Sequence, residues 1–168
     1  MMTRTSVLLS AMLTLIPVQT PVAAEAGKEM PNCTLTTMND AKNFGLKQFH
    51  GKVIYVDFWS SWCGPCAQSF AFLNELNNEL KGKGLQVIGV NLDEVPEDAK
   101  IFIDAHPANF AVASDANQQC AKDFEVKAMP SSYLIDRHGI VRHVHLGFRP
   151  EEAKEFRVLA EQLLAEKP

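Results

Sequence analysis

The sequence predicts an α/β domain in which a central mixed β-sheet is flanked by helices, and three observations carry that prediction. Val53–Trp59 and residues 85–92 are apolar, β-branched runs of the kind that form strands buried on both faces. Between them Phe70, Leu73, Leu76 and Leu80 recur at helical spacing, so a helical crossover joins two parallel strands. Farther along, residues 131–135 and 140–146 flank Asp136-Arg137-His138-Gly139, a hairpin signal that adds antiparallel strands. A chain of 168 residues has room for one ordinary domain. With 46% hydrophobic and 21% charged residues it is neither a disordered chain nor a collagen-like repeat nor a polytopic membrane protein. A net charge of -4 argues against a nucleic-acid binder, which normally carries a basic face.

Residues 1–24 read as a secretory signal peptide. Arg4 stands in an acid-free start, residues 7–16 are apolar apart from Ser10 and Thr14, and Pro21-Val22-Ala23-Ala24 offers small residues for cleavage after Ala24 or Ala26. The rival reading is an uncleaved anchor. The apolar run is shorter than the roughly 20 residues a spanning helix needs, and Pro17, Gln19 and Pro21 interrupt any extension. Export to the periplasm, or another space outside the cytoplasm, puts all four cysteines where a disulfide persists.

A single domain is expected over residues 27–168. Residues 33–36 and 44–46 form an N-terminal β-hairpin turned at Asn39-Asp40. The helix after the first central strand opens near Pro65 and ends at Gly82 and Gly84. Pro96 starts a helix through Ala105, with Glu97 and Asp98 favourably placed in its first turn. A short strand at 110–113 and a short helix at 118–124 complete an insertion after the second central strand. Residues 150–166 close the chain as an amphipathic helix with Phe156, Leu159, Leu163 and Leu164 facing inward.

Trp62-Cys63-Gly64-Pro65-Cys66 falls where the first central strand hands over to its helix. Unpaired N–H groups and the positive end of the helix dipole stabilise a thiolate there, which lowers the Cys63 pKa from about 8.5. Cys66 lies one turn away, able to attack a mixed disulfide on Cys63, and Pro65 suits the first helical position because its missing N–H has no partner to lose. Cys63 is thus the exposed attacking thiol and Cys66 the buried resolving thiol. A zinc half-site would want a second cysteine or histidine pair, which the distant Cys33 and Cys120 do not supply. The remaining alternative is a binding module in which the pair is an inert staple.

The stretch Val56-Asp57-Phe58-Trp59-Ser60-Ser61-Trp62-Cys63-Gly64-Pro65-Cys66 resembles the active-site segment of thioredoxins. Pro31-Asn32-Cys33-Thr34-Leu35, Gly51-Lys52-Val53, residues 84–93 and residues 129–139 extend the resemblance to the secreted TlpA/ResA/DsbE-type thiol–disulfide oxidoreductases. The resemblance implies a thioredoxin-like fold and disulfide exchange with protein substrates. It implies that Pro130 is a cis proline facing the cysteine pair, presenting the Met129 backbone to substrate, with Trp62, Gly64 and Pro65 on the substrate side. It makes Asp57 the buried acid beneath the pair, where desolvation raises a carboxyl pKa and lets it take the Cys66 proton. It also implies recharging by a membrane thiol-transfer protein of the DsbD/CcdA kind, with no dissociable cofactor beyond the redox disulfide itself. Gly64-Pro65 is the thioredoxin dipeptide and leans toward a reductase, with a disulfide-donating oxidase or isomerase as the alternative. Ser69 and Ala71 stand where cytochrome-maturation members often carry glutamate and proline, which departs from a haem-maturation role. A thiol peroxidase would want threonine where this chain has Ser60.

Two unpaired thiols beside an active disulfide would invite scrambling, so a structural Cys33–Cys120 bridge is expected, the alternative being two plain buried cysteines. His138, His143 and His145 are read as surface residues, the last two on one exposed strand face, rather than as a metal site. A monomer, with no stable membrane insertion once the signal is removed, completes the expectation. N-terminal sequencing of the exported protein should therefore read from Glu25 or Gly27; an intact Met1 would support the anchor instead.

Overall fold

The computed structural model describes residues 24–167; the expected signal segment, apart from Ala24, lies outside the described residues. Among them, seven strands form one mixed sheet in the order β2-β1-β5-β4-β3-β6-β7. The expected N-terminal hairpin is β1 (Thr34–Thr37) and β2 (Asn43–Gly45). The central strand β3 (Val53–Trp59) is buried at every residue, as its unbroken apolar sequence requires. Helix α1 (Gly64–Leu80) then crosses to β4 (Leu85–Asn91), which pairs parallel to β3 from Val53↔Leu85 to Trp59↔Asn91. Gly84, at φ 104°, makes the left-handed turn between them.

The insertion is α2 (Pro96–Ala105), β5 (Ala111–Ser114) and α3 (Gln119–Asp123). β5 runs parallel to β4 and antiparallel to β1, which ties the N-terminal hairpin into the sheet. The hairpin β6 (Ser131–Ile135) and β7 (Val141–Leu146) pairs antiparallel on the other side of β3. A 3-10 turn, Pro150–Glu152, leads into α4 (Ala153–Ala165), so the last helical segment is not one continuous α-helix as its periodicity suggested. The Arg137 guanidinium in the β6–β7 turn donates to the carbonyls of Leu163, Leu164 and Glu166, satisfying the open end of α4.

The sheet separates two apolar layers. On one face α1, α2 and α4 bury Phe70, Phe72, Leu73, Leu76, Phe102, Phe156 and Leu163. Trp59 is the centre of this layer, its ring 4.9 Å from Phe70 and 4.7 Å from Phe102. Gly89 on β4 allows the close fit, since a Cβ there would come within 3.1 Å of Phe110 and 3.3 Å of the Trp59 indole nitrogen. On the other face Met30, Leu35, Leu46, Phe58, Phe124 and Tyr133 form the second layer. One element departs from expectation in its surroundings: His143 and His145 are half buried beneath α4, with the His145 ring 4.5 Å from Phe156. The open face of β7 carries Val144 and Leu146 instead. The docking of α4 decides which face is covered, and strand alternation alone does not encode it.

Cys33, ahead of β1, and Cys120, on α3, are joined by a disulfide with their Cα atoms 5.1 Å apart. The bond spans 87 residues and fastens the N-terminal segment to the helix packed on the second layer. Closing so long a loop restricts the unfolded chain, a stabilisation of about 3–5 kcal/mol in the chain-entropy account. The double variant Cys33→Ala/Cys120→Ala should therefore lower the unfolding free energy by an amount of that order, about 3 kcal/mol, and move the denaturant midpoint down while retaining the fold. An unchanged midpoint would show that the bond does not constrain the unfolded state.

Candidate active site

The chain leaves β3 at Trp59, turns through Ser60-Ser61-Trp62 and enters α1 with Cys63 as its N-cap. Pro65 is thus the second helical residue rather than the first, a position whose N–H would be unpartnered in any case. Cys63 and Cys66 are disulfide-bonded, with Cα atoms 5.3 Å apart. Cys66 is fully enclosed. Cys63 retains only 4% exposure instead of the open position expected for an attacking thiol. Its sulfur is bonded to that of the enclosed Cys66, which holds it against the protein. Trp62, at 72% exposure, is the prominent surface residue of the motif, while Gly64 and Pro65 lie open beside it.

Two sets of contacts position this turn. The Asp93 carboxylate, just past β4, accepts the Ser61 backbone N–H at 2.9 Å and the Asn91 side-chain amide at 2.8 Å. Asn91 in turn accepts the Asp93 N–H at 3.1 Å, so the end of β4 braces the turn before Cys63. From the other side, the Ser60 hydroxyl donates to the Met129 sulfur at 3.2 Å. The Met129–Pro130 peptide is cis, and the pairing of Ser131 with Phe58 sets Pro130 beside the end of β3. An open groove of about 830 Å³ runs from this junction; Trp62, Ser60 and Met129 line its near end, and Asp93, Glu94, Val95, Asp98, Lys122, Glu125 and Lys127 lie along it.

Asp57, in the middle of β3, is fully buried on the α1 face. Its carboxylate accepts the Ser132 hydroxyl at 2.6 Å and the Ser69 hydroxyl at 3.1 Å. The Ser69 oxygen is also 3.0 Å from the Cys66 carbonyl, so one side chain touches both the acid and the backbone of the enclosed cysteine. Burial pushes the Asp57 carboxyl up to about 7, against the two serine hydrogen bonds, which favour its charged form. A group with that affinity gains and loses a proton near neutrality, as a proton carrier for thiol chemistry must.

The expected residues Cys63, Cys66, Asp57, Trp62, Gly64, Pro65, Met129 and Pro130 therefore gather where β3, β6 and α1 meet. Cys33 and Cys120 are bonded to each other beneath the opposite face. Sequence reasoning missed Ser132 and Asp93, and noted Ser69 only as a departure from a pattern. The alternation of β6 opposite β3 was the available signal for Ser132, because an antiparallel partner of Asp57 shares its face. Among the described residues, no group of three or more His, Cys, Asp or Glu side chains is arranged to hold a metal ion. No helix among them is long and apolar enough to cross a membrane.

Comparison with known proteins agrees with this geometry. The redoxin family matches residues 25–163. The thiol–disulfide oxidoreductase ResA of Bacillus thuringiensis subsp. konkukian is 35% identical over 131 residues, covering 78% of this chain and 75% of that protein. ResA of Bacillus subtilis is 29% identical over 125 residues, covering 74% and 69%. A Chlorobium tepidum crystal structure provisionally named thiol:disulfide interchange protein DsbE superposes with a TM-score of 0.81 at 39% identity, covering 85% of this chain and 100% of its own. The thioredoxin domain of a Bacteroides vulgatus thiol-disulfide oxidoreductase, at 22% identity and a TM-score of 0.74, covers 83% of this chain and 98% of its own and shares the fold.

The Asp57 environment has a thermodynamic consequence. Its folded pKa of about 7 lies above the ordinary value of 3.8, so between those values the native state holds a proton that the unfolded chain has released. Stability contributed by the protonated form is full below about pH 4 and falls as pH rises toward 7. Asp57→Asn should flatten that decline and leave the oxidised protein more stable than wild type at pH 8. Urea titrations of both proteins across pH 4–8 read this directly, and parallel curves would refute the buried-acid account.

Proposed function

Because this chain belongs to the redoxin family and is a ResA/DsbE-like thiol–disulfide oxidoreductase of the thioredoxin superfamily, we propose that it acts as a reductase of exported proteins. The observation that carries the proposal is the Cys63–Cys66 pair at the first turn of α1, with Gly64-Pro65 between the cysteines and Asp57 buried behind them.

In the reduced protein the helix N-terminus stabilises the Cys63 thiolate. Cys63 attacks a substrate disulfide; one substrate sulfur joins Cys63 and the other leaves as a thiolate that takes a proton from water. Cys66 then gives its proton toward Asp57 and attacks the Cys63 sulfur, closing the Cys63–Cys66 bond and releasing the second substrate thiol. Two electrons pass to the substrate, whose two leaving sulfurs take their protons from solvent. The groove beside Trp62 and Met129 receives the substrate chain, with the Met129 backbone before Pro130 available to hydrogen-bond it. The protein works in the periplasm, as a monomer, without a dissociable cofactor. A membrane thiol-transfer protein of the DsbD/CcdA kind returns the two electrons.

The reduction potential tests the direction. Followed by Trp59 and Trp62 fluorescence in thiol buffers, it should fall near the thioredoxin end, about -270 mV, whereas a value near -120 mV would make the protein a disulfide donor. Cys66→Ser should accumulate mixed disulfides with substrate proteins and Cys63→Ser should form none. Equal silence from both variants would reduce the pair to a structural staple.

A further inference from the structure

The side of Asp57 away from the cysteines is also organised. β3, β6 and β7 are adjacent, and their register puts Asp57 opposite Ser132 and Ser132 opposite His145. Directly opposed residues on neighbouring antiparallel strands share a face, with Cβ atoms about 5 Å apart. The three side chains therefore form a transverse row on the face covered by α4. Ser132 closes one end of a cavity of about 140 Å³ between sheet and helix, and the cavity is lined also by Tyr55, His143, His145, Glu155 and Phe156. Leu134, Val144 and Leu159 make the rest of the wall apolar, while its volume and the polar atoms of Tyr55, Ser132, His143, His145 and Glu155 suit several water molecules. At the outer end, His145 Nε2 lies 3.3 Å from the Glu152 carboxylate, at the protein surface.

We propose that Ser132, the cavity beneath α4 and His145 form a proton path that connects Asp57 to solvent. The inference rests on the reading that Asp57 takes the Cys66 proton. As Cys66 closes on Cys63, the proton it loses neutralises Asp57. Asp57 then donates to the Ser132 oxygen while Ser132 passes its own proton to water in the cavity, and His145 accepts it there and releases it at the surface. No electrons move along this path. During recharging, the same chain of hydrogen bonds runs in reverse and returns the proton to the Cys66 thiolate.

The groups around the cavity fit this role. Tyr55 on β3 is kept protonated by burial and by the negative charge of Asp57, so it is a hydroxyl wall and not a proton sink. His143 on β7 is pushed toward its neutral form, first by burial and then by the charge of Arg142, with Glu155 on α4 opposing. His145 has the carboxylate of Glu152 beside it, from the turn that leads into α4. Without such a path, Asp57 would have to discharge its proton past the cysteine pair, the side occupied by substrate during turnover.

The test is stopped-flow reaction of the reduced protein with an aromatic disulfide reagent. It releases one aromatic thiolate when Cys63 attacks and a second when Cys66 closes. His145→Ala and Ser132→Ala should leave the first phase unchanged and slow the second about tenfold, part of the 10²–10⁴ typical of acid–base steps. Added imidazole should restore the second phase in His145→Ala, and Ser132→Thr, which keeps the hydroxyl, should behave as wild type. A merely structural role for His145 would show no imidazole dependence; His145→Gln, which keeps a polar side chain in place, gives the same reading should His145→Ala fold poorly. Second phases at the wild-type rate in Ser132→Ala and both His145 variants, with Asp57→Asn slow, would overturn the path and leave the Asp57 reading standing. A wild-type second phase in Asp57→Asn would overturn both.

Discussion

A carboxyl group sealed inside β3 governs the surrounding architecture. Asp57 sits on a strand that is buried at every position, and an unpaired acid there would cost several kcal/mol. The fold supplies one hydroxyl from α1 and one from β6, both at hydrogen-bond distance. Each depends on register: Ser69 on the helical turn that follows Cys66, and Ser132 on the antiparallel pairing of β6 with β3. A one-residue slip of β6 would turn Ser132 to the opposite apolar layer and leave Asp57 with half its partners. The same pairing places the cis Met129–Pro130 bond at the end of β3, so burial of the acid and shape of the substrate side are set together.

The aromatic layer gives that arrangement a rigid base. Trp59 is clasped between Phe70 of α1 and Phe102 of α2, and Phe70 also meets Phe110 at 5.2 Å. The inserted helix thus does more than decorate the sheet, because it fixes the residue from which the active turn departs. Asp93 continues the bracing in polar form, holding Ser61 from the end of β4. Close-packed interiors transmit small displacements poorly into freedom and readily into strain, which suits a site where two sulfurs must meet repeatedly in one geometry.

The parallel strand–helix–strand unit was legible because its signals are periodic and its core continuous; β3, α2 and β6 have the boundaries their residues imply. The short strand β5 shifts by a residue and α3 is shorter by one residue at each end, as four- and five-residue elements owe their limits to neighbouring strands and caps. Cys63, Cys66 and Asp57 stood out because cysteine spacing and an acid in an apolar strand are rare patterns. Ser69, Ser132 and Asp93 did not, since serine and aspartate occur everywhere and matter here through who faces them. The histidines illustrate the opposite failure. Alternation showed that His143 and His145 share a face, but only the docking of α4, secured at its far end by Arg137, decides that this face is closed.

Disulfide exchange moves electrons and protons, and the proposed mechanism gives them different exits. Sulfur chemistry needs an approach wide enough for a polypeptide, and the groove beside Trp62 and Met129 provides it at the carboxyl ends of β3 and β4. A proton needs only a line of hydroxyls, imidazole and water, and the small cavity beneath α4 has that scale. Separating the two keeps the substrate from sealing the enzyme's own acid, since occupation of the groove leaves the α4 side open. The second disulfide suits the same division. Cys33–Cys120 lies on the opposite layer, apart from the turn beside Trp62 and Met129 where the groove begins.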